Sequence, residues 1–303
     1  MKFGRVADIK AIDFSLPLKN EKNARLLYQV RSESSEMKIY IGCPAWGNKD
    51  WKDKIYPSKA KANEFLIHYA KHFNCVELNT SHYSIQEKET VLKWCDMVGE
   101  DFKFCPKFHQ AISHKNKLIN CEIWLERFYT MASAFGKNLG LCFLQLAPSF
   151  APDEIGALEQ VLANKPDEIE IAVEFRNEEW FTDKSLFAET VQLLSENNAT
   201  ALITDTAGRR DVLHMHLSTP QTFVRFVGNN LHPSDFTRID HWVNRIKFWR
   251  DSGLQELYFI IHEPDEFYCP ELSRYFIGKL NTALNINHPN VEIVVRPVQG
   301  TLF

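Results

Sequence analysis

The stretch "LGLCFLQLAPSFAPDEIGALEQVLANKPDEIEIAVEFR", residues 139–176, contains one complete strand–helix–strand unit. "LGLCFLQL" is an apolar run of strand length that ends beside Gln145. Pro152 opens "DEIGALEQVLA", a helical segment, and "IEIAVEF" is a second strand. Two strands joined through a helix lie parallel, so this unit belongs to a parallel sheet. Its second strand carries an anomaly. Glu174 and Arg176 sit two residues apart among Ile171, Val173 and Phe175. Strand side chains alternate between faces, so Glu174 and Arg176 share one face and Val173 and Phe175 the other.

The same rhythm extends in both directions. Upstream come the strands "KIYIG" (38–42), "CVELN" (75–79) and "FKFCPK" (102–107). Downstream come "TALITD" (200–205), "TFVRFV" (222–227) and "ELYFII" (256–261). Amphipathic helical segments separate them. In "NEFLIHYAKHF", Phe65, Leu66, Tyr69, Ala70 and Phe73 form one stripe. In "CEIWLERFYTMASAF", Trp124, Phe128, Met131 and Phe135 do so, with Asn120 as the expected cap and Gly136 as the expected stop. "KSLFAETVQLLSE" has Thr182 or Asp183 before it, and "RIDHWVNRIKFWR" turns Ile239, Trp242, Val243, Ile246 and Trp249 inward. Residues 207–220 carry the weakest pattern and read as a short helix. Eight strands alternating with about eight helices predict an α/β protein with a single (β/α)8, TIM-barrel-like domain. An open doubly wound sheet is the alternative. The expected boundaries are an N-terminal extension over 1–37, helical near Ala24 to Val30 and ending in "RSESSE", a barrel domain over 38–290, and a tail over 291–303.

Composition narrows the class. The chain has 303 residues, 45% hydrophobic and 13% aromatic, enough for a large core and too apolar for general disorder. The net charge of −4 gives no overall basic field, so nucleic acid is not indicated as a partner. No apolar run reaches the roughly 20 residues that span a bilayer, and Asp8, Lys10 and Asp13 interrupt any leader-like stretch. Seven cysteines without a CxxC pair read as buried thiols in a reducing compartment, hence a cytoplasmic protein.

In a parallel barrel the functional groups gather at the carboxyl ends of the strands. Read in order, those ends offer Glu77 and Asn79, then Lys107 with His114 beyond it, Gln145, Glu174 with Arg176, Asp205, Arg225, and His262 with Glu263. Burying so many ionisable groups is costly unless each is paired or used. Lys107, Arg176 and Arg225 suit an anion such as a phosphate or carboxylate. Glu77, Glu174, Asp205 and His262 are the candidates for acid–base work. Divalent metal is not favoured, because strand position offers one His and the cations compete for the carboxylates. The "CPAWGNKDWKDKIYP" loop with Tyr83 reads either as a ring-stacking surface or as a lid packed by its own Trp46, Trp51 and Tyr56. The chain carries no GxGxxG, GxxxxGK[ST], HExxH or GxSxG signature.

Five ordered motifs carry a family resemblance: "IYIGCPAWGNKDW…IYP", "YAKHFNCVELNTSHY", "FKFCPKFHQAISH", "FLQLAPSF" and "AVEFRNEEWF". Together they resemble the YecE-like family, a domain of unknown function, from about Ile39 to Leu280. The resemblance implies a TIM-barrel-like fold and no established reaction. It places recurring polar residues at Glu77, Asn79, Tyr83, Lys107, His114, Gln145, Glu174, Arg176, Asp205 and Arg225. The last third departs from the family pattern. "RFVGNN" stands where the family has His-Gly after the seventh-strand Arg, and "IIHEPDE" where it has Phe-Asn-Asn. That departure puts His262 and Glu263 forward as pocket residues of a subgroup.

Two functional classes follow. The first is an enzyme, hydrolase- or isomerase-like, acting on a small anionic substrate, with Glu77 as the favoured proton carrier because it is the less closely paired acid. The second is a non-catalytic module that binds a metabolite or a nucleic-acid backbone. A rim that only pairs with itself would mark a structural scaffold.

Overall fold

The structure is a computed structural model and describes residues 3–30 and 36–294. The "RSESSE" run falls mostly outside those residues, as does most of the expected tail. The N-terminal segment ends in α1 (Glu21–Val30). Then follow β1 (Lys38–Cys43), α2 (Phe65–Tyr69), β2 (Cys75–Leu78), α3 (Thr80–Tyr83), α4 (Lys88–Cys95) and β3 (Lys103–Pro106). Next come α5 (Glu122–Ser133), β4 (Cys142–Gln145), α6 (Ile155–Ala163), β5 (Ile171–Glu174), α7 (Glu179–Thr182) and α8 (Lys184–Glu196). The last third contains β6 (Ala199–Ala201), β7 (Ile203–Asp205), β8 (Gln221–Val227), α9 (Pro233–Ser252), β9 (Glu256–His262) and α10 (Cys269–Leu284).

Among the described residues every strand pairing is parallel. The single closed ladder expected from the strand count is not what forms. The strands divide into a six-stranded sheet, ordered β3-β2-β1-β9-β8-β7, and a three-stranded sheet, ordered β4-β5-β6. The predicted strand "TALITD" is divided at Leu202. Its first half pairs with β5 and its second half with β8. Between β3 and β4 only isolated bridges form, Phe104 to Leu139 and Lys107 to Phe143.

Alternation along the strands sorts the core into two clusters. One set of alternate residues, among them Tyr40, Cys75, Cys105, Phe143, Ala172, Phe223 and Tyr258, packs into a cluster of its own. The other set, including Ile41, Val76, Leu144, Val173, Val224 and Phe259, joins the helices in a larger cluster. Each fully buried aliphatic or aromatic side chain contributes about 1.5–3 kcal/mol by leaving water. The inward stripe of α9 is as expected, with Ile239, Trp242, Val243, Ile246 and Trp249 all buried. Asp183 caps α8 by accepting from the Ser185 and Leu186 amides.

Two local expectations fail. Asn120 does not cap α5: Cys121 holds that position, and Asn120 takes a left-handed φ of 51°. Residues 207–220 form turns instead of a helix. Met215 there has φ 56°, and two of the segment's backbone polar groups are met by a side chain of α1. Asn23 of α1 donates to the Met215 carbonyl and accepts from the Leu217 amide. No helix among the described residues is long and apolar enough to cross a membrane.

Candidate functional site

The polar residues that share a face with the inner cluster converge on one network. Arg225, on β8, is fully buried and lies between two carboxylates. Its Nε and Nη2 donate to the Oε2 and Oε1 atoms of Glu77, both at 2.8 Å. Its Nη1 donates to Glu174 Oε2 at 2.8 Å. Such paired, charge-assisted bonds are the strong class of hydrogen bond. Arg176, two residues beyond Glu174 and past the end of β5, donates from Nε and Nη2 to Glu174 Oε1 at 3.1 and 3.0 Å. Glu77 also accepts from Asn79 Nδ2 at 2.8 Å and from His262 Nε2 at 3.1 Å. Thr204 completes the Glu174 shell, its hydroxyl donating to Oε1 at 2.8 Å.

Electrostatics follow from this pairing. Burial pushes the Glu77 carboxyl up, but Arg225 and His262 more than offset it and hold the pKa well below the usual range. Glu174 is likewise raised by burial, then lowered by Arg176, Arg225 and Lys107 to about 2. Burial depresses His262 against the opposing pull of Glu77. Both carboxylates are thus held ionised. Glu77 is no less closely paired than Glu174, so the ground for favouring it as proton carrier is gone.

Lys107 differs from the arginines. Its Nζ donates to Gln145 Oε1 at 2.9 Å. Among the described residues no carboxylate lies within ion-pair distance of it. Burial, followed by the repulsion of Arg225, lowers its pKa to about 8. Gln145 Nε2 in turn stands 3.4 Å from His114 Nε2, and His114 Nδ1 is 2.8 Å from the Ser113 hydroxyl. His114 therefore accepts from Gln145 and donates to Ser113. Burial, then Lys107 and Arg176, depress its pKa, so it stays neutral near pH 7. The His82 ring meets His114 edge-on, 5.0 Å between centroids, and its pKa is depressed to about 4 by burial and Lys107.

The remaining expectations divide. Asp205 faces away from this network. It follows Ile203 by two residues, so it shares that residue's helix-facing side. There it is enclosed by Arg238, Arg210 and the Trp242 indole N–H, the last at 2.7 Å. Thr204 takes the interior position instead. Glu263 also points away: His262 enters the network, while Glu263 accepts from the Asn230 amide at 2.8 Å and the Leu231 amide at 3.4 Å. Tyr83 is 70% exposed at the end of α3, against His82. The aromatic loop after β1 packs on itself, with Trp51 and Tyr56 buried and the Tyr56 hydroxyl on the Trp46 carbonyl. Thr204 and His82 were missed by the sequence reading. The alternation that exposes Asp205 as outward-facing would have found Thr204. No comparable signal marks His82. Among the described residues, no group of three or more His, Cys, Asp or Glu side chains converges to hold a metal.

The profile of the family described as protein of unknown function DUF72 matches residues 40–292. The chain belongs to the DUF72 family. UPF0759 protein YecE of Escherichia coli K12 is 30% identical over 284 residues, spanning 88% of this chain and all of that protein. UPF0759 protein YunF of Bacillus subtilis 168 is 29% identical over 203 residues, spanning 63% of this chain and 71% of that protein. A DUF72 crystal structure from Enterococcus faecalis V583 superposes with a TM-score of 0.66 at 18% identity, covering 84% of this chain and 98% of the other. One from Thermotoga maritima MSB8 gives 0.60 at 19%, covering 82% and 99%. At those identities the structural likeness speaks for the DUF72 fold alone.

Proposed function

We infer that this DUF72 protein binds a small anion, a phosphate- or carboxylate-bearing molecule, at the Lys107 side of the polar network, and acts on it there. The observation that carries this reading is the Lys107 ammonium, buried and without a carboxylate partner among the described residues. A buried cation needs a counter-charge, and Arg225 already spends its donors on Glu77 and Glu174. An anion seated against Lys107, with Arg176 beside it, supplies that charge. Neutral His114 and Gln145 then fix its orientation.

The proton chemistry shifts accordingly. Glu77 and Glu174 are held ionised and enclosed by donors, so their role is to position Arg225 and Arg176. Lys107, depressed to about 8, is the group that exchanges a proton near neutral pH. The hydrolase- or isomerase-like assignment rests on that group. The second reading, a non-catalytic binding module, is favoured by the self-paired Glu77–Arg225–Glu174 centre. Both readings place the ligand at Lys107.

The finer architecture belongs to the same proposal. The two sheets are read as arcs of one (β/α)8 barrel over residues 38–290. The β3–β4 bridges and the continuity of the chain through Leu202 support that. The seven unbridged cysteines fit a cytoplasmic setting.

Calorimetric titration with sulfate, whose charge is constant above pH 4, tests the ligand site. Lys107→Met is expected to weaken binding at least tenfold. In the wild-type protein the affinity falls as pH rises through about 8, because the ammonium then loses its proton. Equal affinity in both proteins, or a flat profile from pH 6 to 9.5, contradicts the assignment.

A further inference from the structure

The family match begins at residue 40, yet a residue near the start of the chain lies against the site. The Phe3 ring covers the Arg176 guanidinium, 4.0 Å from its centroid, and also faces Arg209 at 5.1 Å. Arg209 Nη1 in turn donates to the Arg176 carbonyl at 2.9 Å. Phe3 is thus held over the cation that flanks Lys107.

Two glycines make this contact fit. The Gly208 amide donates to the Gly4 carbonyl at 2.7 Å. Gly4 has φ +67°, and a Cβ there would sit 2.4 Å from the Thr206 side chain. A Cβ on Gly208 would meet Val6 Cγ1 at 2.6 Å and the Gly4 carbonyl oxygen at 2.8 Å. The far end of the segment is anchored separately. Asn23 of α1 holds the Met215 and Leu217 backbone, and Leu27 is buried in the core.

Between these two attachments no residue is fully buried, and the chain is held by surface contacts, such as Arg245 donating to the Pro17 carbonyl at 2.6 Å and Lys19 over the Phe248 ring. Residues 12–20 carry no helix or strand. A cavity of about 570 Å³ lies beneath them, lined by Val6, Ile12, Pro17, Ala207, Arg210 and Leu213. Arg5, Val6, Ala7, Asp8 and Lys10 face solvent. Opening such a segment breaks these exposed contacts without uncovering a fully buried side chain between the two ends.

We propose that residues 3–20 are a strap that closes the Arg176 side of the site, and that Phe3 must leave Arg176 before an anion can reach it. The inference rests on the anion-site reading for what the strap competes with. The contact itself is testable without any ligand.

Three full-length variants separate the cases. Phe3→Ala removes the ring, Gly4→Ala unseats the tip, and Gly47→Ala is the control, since its Cβ would meet nothing within 4 Å. The first readout is the rate at which phenylglyoxal modifies Arg176, followed by peptide mass spectrometry. Phe3→Ala and Gly4→Ala are expected to raise it about tenfold over wild type and Gly47→Ala. The second readout is sulfate affinity, expected to rise several-fold in the same two variants. Unchanged Arg176 reactivity in both overturns the strap. Faster modification with weaker sulfate binding overturns the gating role, because Phe3 is then a fixed wall of the site. Faster modification with no sulfate bound by any variant leaves the strap standing and overturns the anion-site reading. Thermal melts of each variant separate unseating from unfolding, and an unfolded Gly4→Ala leaves Phe3→Ala to decide.

Discussion

Arg225 is the residue on which the inner network depends. It satisfies two buried carboxylates at once, and both lie within 1% of full burial. Arg225→Met leaves Glu77 and Glu174 short of a partner in a dry interior. It is expected to cost about 3–5 kcal/mol, read as a lowered urea midpoint, because removing one member of a buried ion pair strands the other. An unchanged midpoint would show that the carboxylates find other partners. The same pairing predicts acid sensitivity. Glu174 has a folded-state pKa near 2 against an unfolded value of 4.5. Its stabilising contribution is therefore complete above the unfolded value and disappears as pH falls through the folded one. Glu174→Gln is expected to flatten the loss of stability between about pH 4.5 and 2. Asp205 lies outside this network, so Asp205→Asn is expected to lower stability through its Arg238 and Trp242 contacts while leaving sulfate affinity within twofold. A loss of affinity matching that of Lys107→Met would put Asp205 back among the ligand-binding groups.

At the scale of elements, the turn between β8 and α9 rests on carboxylates. Asn230 and Leu231 adopt left-handed φ values of 57° and 60°, and Glu263 accepts their amides. Burial, then the nearby Asp235, raises the Glu263 pKa to about 8. A raised folded-state pKa contributes stability below the unfolded value of 4.5 that is lost as pH rises through the folded one. The urea midpoint is therefore expected to fall as pH rises from about 4.5 to 8, and less so in Glu263→Gln. Identical pH dependence in the two proteins would remove Glu263 as the cause. The strand pattern itself was readable in the sequence, because eight apolar runs of strand length are present and seven of them precede a helical stripe. The interruption at Leu202 was not, since pairing one half of a strand with β5 and the other with β8 leaves no mark on local hydrophobicity. Nor could local propensity show that residues 207–220 are held as turns by Asn23, nearly two hundred residues upstream.

At the scale of the whole molecule, alternation along each strand made most of the polar network readable. Glu77, Gln145, Glu174, Arg225 and His262 share the interior because each is an even number of residues from an inner-cluster side chain on its own strand, and Arg176 follows just past the end of β5. The same rule misassigned Asp205 only because it was read as a strand-end residue and not counted from Ile203. What the sequence could not show is the division of labour among the cations. Arg225 is fully engaged by carboxylates, whereas Lys107 contacts a neutral amide, and only the three-dimensional pairing reveals it. Crystals soaked in selenate test that difference. An anomalous selenium peak is expected with a selenate oxygen within about 3 Å of Lys107 Nζ, absent in Lys107→Met. A peak that persists in the variant, or none at Lys107 in the wild-type protein, would contradict it.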